Sequence, residues 1–283
     1  MPPLNSGILS RAGVCNRRCP DPVKAGSMVF PLGDDNSDRQ RLPVVTWSLI
    51  AANIAVFVLF QQGGQNDDVT LAFCQVPAEI ISGKDIVTRP SIREVVYEGQ
   101  RVQVPVPGLR PTPIPVWLTL VTGIFLHGGW MHLLGNMWFL FIFGDNVEDD
   151  LGHWRYTIFY LASGVLASLA FVFLNARGEE ALTPCLGASG AISGVLGGYL
   201  VLHPNRRVSV ILLRIIMDVP GYVAVGIYFL MQIVLGFSDT GGGVAYSAHV
   251  AGFIAGLVLA KPLSDSDIRR QADQLVSFRR RNG

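Results

Sequence analysis

LGASGAISGVLGGY, residues 186–199, lies in a sequence that otherwise runs as lipid-facing apolar helix, yet it holds two serines, five glycines and almost no side-chain bulk. Glycine weakens a helix interior by roughly 1 kcal/mol relative to alanine, so this composition asks for a partner that must come very close. The surrounding chain says what kind of molecule this is. Half of the 283 residues are hydrophobic and 15% are charged, a balance that a soluble domain of this length could hide only in an unusually large core. Predominantly apolar runs near the ~20-residue bilayer length recur at about 44–60, 129–143, 156–174, 187–202, 219–237 and 244–260. The fold class this predicts is all-α, a polytopic membrane bundle of six transmembrane helices.

Basic residues resist translocation, so their distribution orients such a bundle. Arg11, Arg17, Arg18, Lys24, Arg39 and Arg41 precede the first run, and six more follow from Lys261 onward. Both termini are therefore expected in the cytoplasm, with 1–43 a polar tail, 44–262 the six-span domain and 263–283 a basic tail. The pair Arg206 and Arg207 falls inside on the same scheme, and the long 61–116 segment falls outside. No apolar stretch precedes a small-residue cleavage site, so no signal peptide is expected and the first span does the targeting. Met1 and Met28 are both candidate start residues. A net charge of +1 gives no footprint for nucleic acid. Cys15 and Cys19 lack a second ligand pair, and neither a metal site nor a cofactor is expected. Cys74 and Cys185 both fall outside, where a disulfide persists if they meet in an oxidising compartment.

Two smaller pieces stand apart. REVVYEGQRVQV, within 61–116, alternates with period two around Glu98-Gly99 and predicts a hairpin in a small outer subdomain, followed by the stiff, extended VPVPGLRPTPIP. VSVILLRIIM, 208–217, is too short to span and carries Arg214, so it reads as an interfacial or re-entrant piece.

The polar residues within the spans converge. With the N-terminus inside, the second, fourth and sixth spans run in one direction, and His132, Asn136, Ser189 and His249 all fall near their outer ends at one depth. His132 and Asn136 are i and i+4 and share a face. Gly187, Gly190 and Gly194 in the fourth span, and Gly252 and Gly256 in the sixth, put small residues where two helices can approach closely. That approach is expected to bring Ser189 within hydrogen-bond reach of His249, and a serine beside a histidine base is an activated nucleophile. Ser193 is assigned to a bond with its own helix, and His153 and His203 to structural or interfacial places. A lone serine or a lone intramembrane histidine is most often structural; the four residues together point to chemistry.

These residues match a family. HGGWMHLLGNMWFLFIFGDNVED, GASG and AHVAGFIAG resemble the signatures of the rhomboid intramembrane serine proteases in their six-span bacterial arrangement, over about 31–262. The resemblance implies a bundle that cleaves transmembrane protein substrates in the lipid bilayer of a bacterial cell membrane. It implies Ser189 as nucleophile, His249 as general base, and His132, Asn136 and the backbone N–H of Ser189 around the oxyanion. Two positions depart from the familiar pattern: TPIPVWLTL lacks a Trp-Arg pair, and Ser193 stands where an aromatic often packs on the histidine.

No Asp or Glu lies within a span near the outer side, so a dyad is expected rather than a triad. A substrate helix must then unwind locally to expose a carbonyl. The alternative is a non-catalytic rhomboid-like binder of transmembrane clients, usually marked by loss of the serine or histidine. A proton-relay transporter would want charges at mid-membrane, where the spans have none.

Overall fold

The computed structural model describes residues 30–97, 100–212, 215–238 and 246–264. Chain positions Cys15, Cys19, Met28, Glu98, Gly99 and Arg214, both tails beyond these limits and the loop before the sixth expected span lie outside the described residues. In chain order the elements are β1 (Phe30–Asp34), α1 (Val44–Ala55) running into a π-helical turn (Val56–Phe60), α2 (Asp67–Phe73), α3 (Pro77–Ser82), β2 (Ser91–Tyr97) and β3 (Gln100–Val106). Next come α4 (Thr119–Thr122) between two 3-10 turns, α5 (Trp130–Leu151), α6 (His153–Leu174), α7 (Ser189–Leu202), β4 (Arg207–Leu212), β5 (Ile215–Pro220), α8 (Gly221–Ser238) and α9 (Tyr246–Leu263).

The molecule is mostly helical, and each expected span coincides with a helix. Length qualifies the count. Among the described residues α6 and α9 are long and apolar enough to cross a membrane, and Val116–Phe125 with α5, bent by 79°, makes a third if taken as one span. Val44–Phe60, Ser189–Leu202 and Gly221–Met231 are shorter apolar helices. α7, with 14 residues at about 1.5 Å each, falls short of the ~30 Å hydrocarbon core. Large apolar side chains on the outer faces, among them Phe141, Ile158, Leu166, Phe173 and Val258, are exposed, while Thr46, Asn53, Ser163, Ser168 and Ser193 are buried. That inversion, together with the long apolar helices, is the mark of an integral, multi-pass membrane protein.

The all-α expectation needs correcting, because among the described residues five strands accompany the bundle. β1, β4 and β5 form one antiparallel sheet in that order, with a bulge between Pro31 and Gly33. The stretch expected to be an interfacial or re-entrant piece is thus paired strand. Its Val208 and Val210 point into the core and Ser209 turns away to donate a hydrogen bond to Asp218 Oδ1 at 2.6 Å, the period-two pattern of a half-buried strand. Part of the expected N-terminal tail is also folded: Phe30 stacks on Trp138, whose indole N–H donates to the Pro31 carbonyl at 2.8 Å. β2 and β3 form the expected antiparallel hairpin, Ser91 opposite Val106 and Tyr97 opposite Gln100.

At the centre α7 packs chiefly against α9 and α6. A Cβ at Gly252 would land on the Gly190 carbonyl oxygen, and one at Gly256 on that of Gly194. One at Gly190 would meet the Ala167 Cβ of α6 at 2.7 Å, and one at Gly194 would collide with Ser163. Glycine is required here because backbone touches backbone. The pairing of Gly190 with Gly252 and of Gly198 with Ala260 also fixes direction: α7 and α9 run the same way, and α5 runs with them.

Candidate active site

Ser189 is the first residue of α7, and its N-cap, Ala188, offers no side chain to the free N–H groups of the first turn. The positive end of the helix dipole is therefore left for something else. The approach to Ser189 is held from two sides. Gly187 N–H donates to the Gly123 carbonyl at 2.8 Å, and Gln75 and Cys185 exchange backbone hydrogen bonds at 3.1 and 2.9 Å in an isolated bridge. Cys74 and Cys185 stand beside that bridge as free thiols rather than a disulfide. Burial pushes the Cys74 thiol up to about 12, so it is neither a nucleophile nor a ready metal ligand.

His249, in the first turn of α9, is buried, and its Nε2 lies 2.8 Å from Ser189 Oγ. The glycine contacts between α7 and α9 produce this distance: the helices meet at backbone separation just below the pair. Tyr246, one turn earlier, sits edge-on to the His249 ring with centroids 6.2 Å apart. Ser193 is buried one turn deeper in α7.

His132, on α5, brings its ring to the same place. A Cβ added at Gly187, whose φ of 123° already favours glycine, would come within 2.8 Å of His132 Cε1, 3.0 Å of Nε2 and 3.7 Å of Ser189 Oγ. The Gly128 N–H donates to His132 Nδ1 at 3.3 Å. An accepting Nδ1 leaves Nε2 as the protonated nitrogen of the neutral ring, directed toward Gly187 and Ser189. Asn136, one turn along the same face, is buried, and its Nδ2 has no partner, an amide donor with nothing yet to bond.

The described residues contain no cluster of three or more His, Cys, Asp or Glu able to hold a metal ion. His153 and His203 lie away from the Ser189–His249 pair. His153 Nδ1 is 2.6 Å from Glu148, and His203 Nε2 is 3.2 Å from Asp150. Burial, with Arg206 nearby, pushes His203 down to about 4, so its contact with Asp150 is a hydrogen bond rather than an ion pair. The part played by α6 in seating α7 was missed in the sequence, although the small residues Ser163, Gly164 and Ala167 carried the signal.

A family model, the Rhomboid domain, matches residues 115–266, over half of the chain and all of α5 to α9. The chain belongs to the rhomboid family. It is similar to RHOMBOID-like protein 5 of Arabidopsis thaliana, 28% identical over 200 residues that make up 67% of this chain and 54% of that protein. It is also similar to the chloroplastic Rhomboid-like protein 11 of the same plant, 30% identical over 171 residues, 56% of this chain and 59% of that one. The rhomboid protease GluP of Bacillus subtilis is 36% identical over 149 residues, 52% of this chain and 26% of GluP. The chain thus spans from about a quarter to six tenths of the length of these relatives.

Proposed function

We propose that this rhomboid is an intramembrane serine endopeptidase that cuts transmembrane segments of membrane proteins with a Ser189–His249 dyad. The observation that carries the reading is the 2.8 Å contact between His249 Nε2 and Ser189 Oγ, made between two helices whose glycines serve that approach. The similarity to a relative named a rhomboid protease agrees with it.

In this reading Ser189 Oγ attacks the scissile carbonyl carbon while His249 Nε2 takes the hydroxyl proton. The carbonyl oxygen becomes an oxyanion beside His132 Nε2–H, Asn136 Nδ2 and the first-turn N–H groups of α7. The C–N bond then breaks, His249 returns the proton to the leaving amine, and water hydrolyses the acyl-enzyme by the same steps. His249 is oriented by packing, with Tyr246 against its ring. Six spans with both termini cytoplasmic, in a bacterial cell membrane, would place this chemistry near the outer leaflet. Substrates should carry helix-weakening residues at that level, because a hydrogen-bonded helical carbonyl is shielded.

A fluorophosphonate probe applied to the full-length protein in detergent tests the activated serine. Labelling is expected in the wild type, absent in Ser189→Ala, sharply reduced in His249→Ala and largely kept in Ser193→Ala. A folded wild type that neither takes up the probe nor cuts any transmembrane segment would overturn the protease in favour of the client-binding scaffold. Labelling that persists in Ser189→Ala would mean that another serine is the nucleophile.

A further inference from the structure

The far side of His132 from the dyad is unusually constrained. Gln61, the residue that ends the π-helical turn after α1, is fully buried. Its side-chain amide grips one residue twice: Oε1 accepts the His127 N–H at 3.0 Å, and Nε2 donates to the His127 carbonyl at 2.9 Å. Nε2 also donates to Thr70 Oγ1 at 2.9 Å. The amide thereby acts as a strand partner for a loop that has none.

Gln61 is itself immobilised. Its N–H donates to Val56, and its carbonyl accepts the N–H groups of Gly64, Gln65 and Asn66 at 2.9–3.0 Å. Gln62, Gly63 and Gly64 follow in left-handed conformations. A wider i→i+5 turn of this kind is often found where a helix has been bent to serve a site.

The gripped residue precedes Gly128, whose N–H is the one that reaches His132 Nδ1. Holding both the N–H and the carbonyl of His127 fixes the orientation of the peptide unit that carries the Gly128 N–H. The buried His127 ring stands T-shaped to the His132 ring at 5.2 Å and 64°. It closes the side from which another donor or acceptor could compete for that ring.

We propose that Gln61 is a positioning residue for the oxyanion site: through the His127 backbone it aims the Gly128 N–H at His132 Nδ1 and so keeps the His132 proton on Nε2, facing Gly187 and Ser189. The proposal rests on the protease reading above. In a neutral imidazole the two nitrogens exchange roles unless a hydrogen bond decides between them. If His132 took the other tautomer, it would present a lone pair to a developing oxyanion, which repels it. Gln61 touches neither substrate nor reacting atoms; its effect passes through the tautomer of His132.

The test uses the full-length protein in proteoliposomes with a model transmembrane substrate. Gln61→Leu, close in volume and lacking both arms of the amide, is expected to lower kcat by roughly 10-fold, bounded by the ~10²-fold or larger loss expected for removing an oxyanion donor outright. KM should be unchanged. Selectively 15N-labelled histidine should show His132 passing from a single Nε2–H tautomer to a mixture. In a His132→Ala background Gln61→Leu should cost nothing further, because the two act as a unit.

His127→Phe keeps the ring wall and the gripped backbone, and is expected to retain kcat within about twofold, by the same reasoning. If Gln61→Leu does not fold, Gln61→Met, unbranched like glutamine and lacking both arms of the amide, carries the same test. Wild-type kcat and tautomer in the Gln61 variant would overturn the proposal, as would a loss that adds to that of His132→Ala. A loss in His127→Phe without one in Gln61→Leu would overturn it too, by moving the role to the ring nitrogens. A wild type without proteolysis or probe labelling would defeat the function itself; an active wild type matched by Gln61→Leu defeats only this inference.

Discussion

At the end of the bundle away from Ser189, charged groups are bonded on several sides. Glu148 is fully buried and accepts the Val45 and Thr46 N–H groups and the Thr46 hydroxyl at 2.7–2.8 Å, capping α1, while His153 lies 2.6 Å away. Arg39 pairs with Asp145 at 2.8 Å, and Asp149 accepts the Gln40 and Arg41 N–H groups. Arg206 bonds the Asp35 carbonyl, Asp38 and Asn146, and Asn146 in turn reaches Asp34, which also accepts the Tyr199 hydroxyl at 2.9 Å. At the Ser189 end the inventory is the reverse: an uncapped α7, an orphaned Asn136 amide, and polar contacts spent on aiming His132 and seating the serine. One end uses its polar groups to hold helices together, and the other leaves donors unspent, which is what the proposed protease would need for charge that appears only during reaction.

If the ends are divided in this way, substitutions should separate cleanly into those that change turnover and those that change stability. Ser189→Ala should cut turnover of a transmembrane substrate by roughly 10⁴- to 10⁶-fold, and adding His249→Ala should cost almost nothing more, because the two act as one unit. Thermal stability, followed by unfolding in detergent, should be unchanged in both. At the other end Glu148→Ala strands the N–H groups that begin α1 and should lower stability by about 3 kcal/mol, while the folded fraction keeps wild-type kcat. A slower folded fraction would mean that the network also shapes the dyad.

Asn136→Ala should slow turnover by ~10²-fold or less, as expected for one of several oxyanion donors, with KM little changed. Wild-type turnover would remove Asn136 from the oxyanion site and leave the dyad standing. The smallest effect is expected at Asp34, where burial, opposed by the Tyr199 hydroxyl, raises the carboxyl from 3.8 to about 7. Over that interval the folded chain keeps a proton that the unfolded chain has released, so the stability owed to this group falls as pH rises and levels off above about 7. Asp34→Asn should therefore gain stability over the wild type as pH increases from 4 to 8, by less than about 1 kcal/mol after screening at a partly exposed site. A gain that is the same at pH 4 would show that the group does not titrate in this window.

Much of the bundle was legible because lipid leaves a helix no alternative: backbone groups must bond within the segment, so apolar runs and their turn-forming punctuation mark helices directly. The sheet was not legible for the converse reason. Residues 208–217 are apolar enough to suggest membrane contact, and only their pairing with Phe30–Asp34, some 180 residues earlier, reveals two-fold alternation. Phe30–Asp34 itself looked like tail because a single edge strand buries too little to leave a pattern.

The candidate site divides in the same way. Composition and spacing alone singled out Ser189, His249, His132 and Asn136, since hydroxyls, imidazoles and glycines are costly in apolar helices and stand out there. The 2.8 Å approach of Ser189 to His249 and the grip of Gln61 on His127 are matters of distance and angle between segments 60 or more residues apart, and the contact of Gly128 N–H with His132 Nδ1, though local, depends on how that grip holds the loop. Hydrogen bonds depend on tenths of an ångström; the glycines signal that two helices come close, but only the packing of Gly252 and Gly256 against the Gly190 and Gly194 carbonyls brings Ser189 and His249 to bonding distance.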